Sequence, residues 1–142
     1  MISIALRFAE KFAPGEGTIG AHNNLICKNG YVWYGKMGNA VSGVNIAKVL
    51  SEETPKILLI HSGSTERYWA YIEDIKSERP SFEEFPSYYH DMADKFKTWF
   101  KIVRIEEAPK NVMSLCRVAS SGQILSTASK HSMSPYFVIE TY

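Results

Sequence analysis

The chain of 142 residues has little cysteine and no long apolar run. Its two cysteines, Cys27 and Cys116, lie far apart and form no C-x-x-C motif. This spacing excludes a disulfide framework and favours a thiol-reducing compartment. No apolar run reaches membrane-spanning length, and the first residues lack the basic start and apolar stretch of a signal peptide. We therefore expect a soluble, cytoplasmic protein without a membrane partner.

An excess of charge of one sign is also missing. The formal net charge is +1, which excludes the strong basic field typical of many nucleic-acid-binding proteins. The charges are nevertheless unevenly distributed. Residues 73–94 contain seven acidic and two basic residues, whereas residues 95–142 contain seven basic and three acidic ones. A basic face is therefore possible, although an ordinary mixed surface explains the same counts.

The sequence contains none of the short motifs that identify common enzyme sites. It has no G-x-G-x-x-G or Walker A motif, and its four histidines show no zinc-binding spacing. Ser62 follows His61 in a small polar turn, but the G-x-S-x-G elbow of serine hydrolases is absent. We therefore assign no catalytic residue, no cofactor and no metal.

Aromatic residues are abundant, at 13% of the chain. Three of them lie in the segment Tyr31-Val32-Trp33-Tyr34-Gly35-Lys36, directly after a Lys28-Asn29-Gly30 helix-stop signal. Such rings either fill a core or line a pocket for a flat ligand, because Trp and Tyr need partners for their polar atoms. Strand alternation puts Trp33 and Val32 on opposite faces. If Val32 points inward, Trp33 is free to line a cleft.

Apolar patterns predict one α+β domain over residues 1–142, built on a curved or closed, mostly antiparallel sheet of about six strands with short flanking helices. The predicted strands cover residues 2–8, 31–35, 57–60, 68–75, 96–105 and 136–140, with the third buried on both sides and forming a hairpin with the fourth. Helices are predicted at 19–29, capped by Thr18 and ended by Gly30, and at 44–50, capped by Ser42. A helical turn is expected within 109–117. Residues 80–92 are predicted to form an aromatic loop, and 126–134 a serine-rich loop.

The order of motifs resembles the PUA-like superfamily. These motifs are the VWYG element, His61-Ser62-Gly63-Ser64 after an apolar strand, Tyr71-Ile72-Glu73, the acidic aromatic loop and Phe96-Lys97-Thr98-Trp99-Phe100. The order is most similar to the EVE/YTH-type modules at the front of McrB-type restriction GTPases and related defence proteins. The resemblance implies a small barrel whose aromatic cage takes a flipped, modified base, which is N6-methyladenine in YTH domains.

The resemblance also implies roles for individual residues. The cage and its rim would be formed by Trp33, Tyr34, Gly35, Phe85, Tyr88 and Tyr89, with tyrosines and Phe85 in the loop where YTH proteins place a tryptophan. Strand ends would approach the base through Arg7, Phe8, His61, Ser62 and Ser64, although the lysine-serine pattern of the family is absent at the first strand. The nucleic-acid backbone would contact Lys36, Lys130, His131 and Ser132.

The function expected from the sequence is therefore non-enzymatic binding of DNA or RNA that carries a modified, for example methylated, base. A fused or associated effector, such as a nuclease or an NTPase, is the expected partner. Two alternatives stay open. One is a small amidohydrolase acting on modified nucleosides, with Lys36, His61 and Ser62 as the candidate groups. The other is a module whose aromatic loop binds another protein.

Overall fold

The computed structural model describes residues 1–10, 13–132 and 134–141, which form seven β-strands and three α-helices. The elements in chain order are β1 Ile2–Phe8, α1 Gly17–Asn29, β2 Val32–Lys36, α2 Gly43–Leu50, β3 Lys56–His61, β4 Arg67–Lys76, β5 Thr98–Glu107, β6 Cys116–Val118, α3 Leu125–His131 and β7 Tyr136–Thr141. Short 3-10 turns occupy Phe82–Glu84, Ser87–Tyr89, Ala93–Lys95 and Val112–Leu115.

All seven strands belong to one sheet, in the order β2-β5-β4-β3-β1-β7-β6. Only the β1–β3 pair is parallel among the described strands, so the predicted antiparallel character is confirmed. Strand β3 lies in the middle of the sheet, and its residues Ile57 to Ile60 are at most 4% exposed. Burial on both faces explains its uninterrupted apolar sequence. The predicted hairpin of β3 and β4 is also present.

The sheet is strongly curved. Strands β1 and β2 are separated by β3, β4 and β5 in the sheet order, yet both contribute side chains to one apolar cluster on the concave side. Helices α1 and α2 pack against this cluster through Leu25, Ile26 and Val49 among others. The register shifts between β4 and β5 near Ile72, and such irregularities bend a strand locally. The predicted α+β barrel-like fold is therefore confirmed.

Two further apolar clusters lie on the convex side of the sheet. One joins β1, β3, β6 and β7 to α3 and to the 3-10 turn Val112–Leu115. The other, which we call the outer aromatic cluster, consists of Trp33, Phe85, Tyr89, Ala93, Phe96 and Trp99. The segment that follows β4 therefore covers the outside of β2 and β5.

Two predictions about local structure were wrong, and one strand was missed. Helix α1 begins at Gly17, before the predicted cap Thr18, whose N–H instead donates to Glu10 Oε2 at 3.0 Å. The predicted serine-rich loop contains helix α3, because Leu125 and Ala128 bury one helical face and this burial outweighs weak serine propensity. The helical turn predicted within 109–117 is present at Val112–Leu115, but the strand β6 that follows it was not predicted, because it is too short to show a periodic pattern. Met133 of the predicted loop lies outside the described residues.

No helix in the described chain combines the length and the apolar character needed to traverse a bilayer. No group of three or more His, Cys, Asp or Glu side chains within the described ranges is arranged to hold a metal ion.

Candidate functional site

A cavity of about 320 Å³ lies between the C-terminal ends of β1 and β2. These ends do not pair with each other, so the barrel is open here. The lining residues come from β1, β2 and the residues just after them, α1, residues 82–96, which we call the 3-10 segment, and the residue before β7. They are Leu6, Arg7, Phe8, Ala9, Thr18, Tyr34, Gly35, Lys36, Met37, Tyr88, Tyr89, Met92, Phe96 and Pro135. The cavity is thus an extension of the concave core that the core side chains do not fill.

Gly35 determines how closely the 3-10 segment approaches β2. A Cβ atom at this position would lie 2.3 Å from the Phe96 ring, far inside van der Waals contact. The Lys97 N–H also donates to Lys36 O at 3.1 Å, which fixes the segment against the strand end. Glycine is therefore required for the close packing that forms this wall.

Three tyrosines, Tyr34, Tyr88 and Tyr89, form the aromatic wall of the cavity. The His22 ring lies behind it, with its centroid 5.2 Å from that of Tyr34 and 5.4 Å from that of Tyr89. Tyr88 and Tyr89 contact each other edge to face, with their centroids 4.8 Å apart. Edge-to-face packing holds such rings in defined orientations, so the wall is preorganised.

His22 is buried and neutral at pH 7. Burial lowers its pKa to about 4, an effect partly opposed by its backbone hydrogen bond to Thr18. Its Nδ1 lies 2.8 Å from Thr18 O, and because a carbonyl only accepts, Nδ1 carries the proton and donates. Nε2 is buried without a hydrogen-bond partner in the described chain.

The tyrosine hydroxyls of the wall are also uncharged. Burial raises the pKa of Tyr34. Burial and the neighbouring Tyr34 and Tyr88 hydroxyls raise the pKa of Tyr89 well above its ordinary value. Burial likewise raises the pKa of Tyr88, although the nearby Thr18 and Tyr89 hydroxyls oppose the change. The aromatic wall therefore offers neutral hydroxyl groups and ring faces.

The formal charge on the cavity lining is positive. Lys36 and Arg7 both line it, and none of its described lining residues is acidic. Arg7 Nη2 donates to Ser129 O at 2.6 Å and to Ser132 O at 3.0 Å. These carbonyls lie at the C-terminal end of α3, where the helix dipole favours a cation. Arg7 therefore ties the end of α3 to the end of β1.

A second, polar groove of about 620 Å³ lies beside the cavity. Its described lining includes Lys48 from α2, Ser120 and Ser121 from the turn after β6, and His131 and Ser132 from the end of α3. Tyr136 lines this groove, and its ring centroid lies 4.6 Å from the Nζ atom of Lys36 in the cavity. The groove and the cavity are therefore neighbours on either side of Tyr136.

The structure brings together about half of the residues predicted for the base site. The predicted residues that line the cavity are Arg7, Phe8, Tyr34, Gly35, Tyr88 and Tyr89, together with the predicted backbone contact Lys36. His131 and Ser132, also predicted as backbone contacts, line the polar groove, whereas Lys130 is exposed and lines neither.

Trp33 and Phe85 lie in the outer aromatic cluster instead of on the cavity. Trp33 is 5% exposed, and Lys76 Nζ lies 4.5 Å from its ring centroid. Phe85 is 2% exposed and packs with its centroid 5.1 Å from that of Trp99. The cavity opens on the concave side, and alternation along β2 puts Trp33 on the convex side.

The turn after β3 also lies off the cavity. His61 is placed between Glu10 and Glu66, with nitrogen–oxygen distances of 3.6 Å and 3.4 Å. The Ser62 N–H donates to Phe8 O at 2.8 Å, which ties the turn to the end of β1. Ser64 Oγ accepts from Glu66 N at 3.0 Å. These contacts give the turn a structural role in supporting the Phe8 wall.

Sequence reasoning missed several lining residues. Thr18, Met37, Met92 and Pro135 come from turns or helix ends that carry no periodic signal. Lys36 was expected on the nucleic-acid backbone, yet it lines the cavity beside Tyr34. A signal for this position existed, because residues 34 and 36 share one face of the strand.

Comparison with known proteins shows to which family the chain belongs. The comparison with curated proteins and that with solved structures each returned no match. A family model described as Pua-like matches residues 4–134, which is most of the chain. This match covers β1 to α3 and so includes nearly all of the cavity lining. The chain belongs to the Pua-like family.

Proposed function

We propose that the protein binds nucleic acid that carries a modified base, and that the base is flipped into the cavity between β1 and β2. Pua-like domains generally bind nucleic acids and are generally binding modules, which supports the first part. The cavity itself is the observation that carries the second part. Its volume of about 320 Å³ lies at the lower end of the range for small-ligand sites, about 300–1,000 Å³, and suits a single base.

The chemistry of the lining supports a flat, partly apolar ligand. Ring faces of Tyr34, Tyr88 and Phe96 offer stacking surfaces, while Met37 and Met92 offer a soft apolar wall that can accept a methyl group. Proteins that act on or recognise one base commonly extrude it into such a pocket. A methylated base of the kind bound by EVE/YTH-type domains is therefore one ligand to test.

The polar groove gives the strand a path away from the flipped base. His131, Ser132 and Lys48 offer imidazole, hydroxyl and ammonium donors, respectively, for phosphate oxygens. Lys130 precedes His131 in the sequence. Because phosphate contacts release counterions, affinity should fall as the salt concentration rises. A nuclease or NTPase, fused or associated, would act on the bound nucleic acid in a defence role.

The proposal is tested by titrating the protein with fluorescent single-stranded oligonucleotides that carry one methylated base or none. Tyr88→Ala should weaken binding by about tenfold, since base–aromatic stacking contributes about 1–3 kcal/mol per base. Tyr71→Ala is the matched control, because Tyr71 lies on the convex face beside Arg104 and outside the cavity. Equal losses in both variants, or no binding by the unaltered protein, would contradict the proposal. Binding of another protein without any affinity for oligonucleotides would instead favour an interaction module.

A further inference from the structure

Lys36 is a buried cation without a counter-ion. It is only 4% exposed, and no carboxylate of the described chain lies within 4.0 Å of its Nζ atom. Burying an unpaired charge is costly, so such a group usually has a function or a compensating partner. Burial also lowers the pKa of its ammonium group.

The partners of Lys36 account for only part of its hydrogen-bonding capacity. An ammonium group has three N–H donors. Two are used within the loop that follows β2, where Nζ donates to Met37 O at 3.0 Å and to Asn39 O. The Tyr136 ring, 4.6 Å away, attracts the charge but provides no lone pair. One donor is therefore available to a ligand that enters the cavity.

The other lining residues limit the class of ligand that can pair with this donor. The described lining contains no carboxylate, so a positively charged ligand would find no counter-ion there. A ligand with only donor groups would likewise find no acceptor side chain of opposite charge. A carbonyl oxygen is the complementary group, since hydrogen bonds from a charged donor are the strong ones. The lysine contact to the O6 carbonyl oxygen of guanine follows the same chemistry in DNA recognition.

We propose that Lys36 determines the specificity of the cavity by donating a hydrogen bond to an exocyclic carbonyl oxygen of the bound base. The ligand class is then the oxo-bases, which include the cytosine, uracil and guanine types with or without a methyl group. Adenine and N6-methyladenine, which have no exocyclic oxygen, bind less well. This inference rests on the proposed function, because it assumes that a base occupies the cavity.

The sharpest probes differ along one edge of the base. Hypoxanthine has a carbonyl in place of the amino group of adenine and carries a proton at N1, so oligonucleotides carrying one or the other test the carbonyl edge of the base. A second pair, 5-methylcytosine and N6-methyladenine, compares methylated bases with and without an exocyclic oxygen. We expect hypoxanthine and 5-methylcytosine to bind about tenfold or more tightly than their partners, as a hydrogen bond to a charged group predicts.

Lys36→Met should abolish this preference, because methionine keeps much of the side-chain length and lacks the donor. Lys76→Met is the matched control. Lys76 also lies over an aromatic ring, with its Nζ atom 4.5 Å from the ring centroid of Trp33. The substitution therefore removes the same charge outside the cavity. The control should keep the preference and lose only a small, salt-dependent part of the affinity. Thermal unfolding of both variants checks that they fold, and Lys36→Gln, which retains a donor, should give an intermediate preference.

The outcomes separate the two levels of the proposal. The role of Lys36 would be overturned if oligonucleotides bind without a preference for the carbonyl bases. It would also be overturned if the preference survives in a folded Lys36→Met variant. In both cases the proposed function would still stand. Absence of binding to every oligonucleotide would overturn the proposed function, and this inference with it.

Discussion

The two faces of β2 are closed in different ways. On the convex face, Trp33 packs within the outer aromatic cluster. Trp99 and Phe85 of the same cluster are at most 2% exposed. On the concave face, Tyr34 and Lys36 are equally buried by the chain, at 5% and 4%, yet they border an open cavity. Burial alone therefore does not distinguish the packed face from the candidate binding face.

The difference lies in the charged and titratable groups, because the convex face also buries one polar atom without a partner in the described chain, Trp99 Nε1. The convex face is filled by ring contacts, such as that between Phe85 and Trp99 at a centroid distance of 5.1 Å. The concave face buries an ammonium group without a counter-ion and a histidine nitrogen without a partner. Polar groups buried in this way reduce stability unless a ligand uses them. We infer that the convex face stabilises the fold and that the concave face provides recognition.

The largest expected effect on stability is that of Trp33→Ala. If Trp33 is a core residue of the convex face, its truncation leaves a cavity and lowers the free energy of unfolding by about 3–5 kcal/mol. Urea denaturation followed by circular dichroism measures the change. Trp33→Phe should recover much of the stability because the ring contacts are partly kept.

Trp33 was also predicted from the sequence to stack on the base, and the same variants separate the two roles. A folded Trp33→Phe protein that binds oligonucleotides normally agrees with a core role. A large loss of oligonucleotide binding in Trp33→Ala, with stability unchanged, would contradict our comparison and favour the original stacking role.

A second test concerns His22 behind the concave face. Its pKa is about 4 in the folded protein and about 6.5 in the unfolded chain. Above pH 6.5 both states are neutral and the full stability is present. Between pH 6.5 and pH 4 the unfolded state takes up the proton first, so stability falls by about 3 kcal/mol from this group.

The measurement is the free energy of unfolding from urea titrations at pH 7 and pH 4. His22→Leu should lose less stability over this interval than the unaltered protein, because it lacks the titrating group. His131→Gln, at an exposed position, serves as the control and should keep the full pH dependence. Identical pH dependence in the His22→Leu protein would show that the ring is not buried as described.

Patterns along the chain predicted much of the fold for clear physical reasons. The apolar run at Ile57 to Ile60 had to be a central strand, and Gly30 ends α1 with a left-handed φ of 86°. Ser42 caps α2 through its side chain as predicted. These signals are local, so a single sequence contains them.

The positions that failed depend on contacts between distant segments. Helix α3 forms from a serine-rich stretch because Leu125 packs into a cluster built by β1, β3 and β7. The side of β2 that faces the cavity depends on how the sheet curves and on where the 3-10 segment lies, and neither is encoded near Trp33. The predicted rim residues Tyr34 and Gly35 nevertheless line the cavity, because they share the strand end.

The smallest expected effect comes from Gly35, which belongs to both faces. An alanine Cβ here would lie 2.3 Å from the Phe96 ring, so this ring must move away from β2. Overpacking of this kind costs about 1–3 kcal/mol, measurable by urea denaturation. Because Phe96 also lines the cavity, Gly35→Ala should weaken oligonucleotide binding as well as stability. Gly43→Ala is the matched control, since nothing lies within 4 Å of a Cβ at the start of α2 and its stability and binding should be unchanged. A Gly35→Ala protein that loses stability but keeps its affinity would mean that the two faces of β2 are independent, and the outer aromatic cluster would then have no part in shaping the cavity.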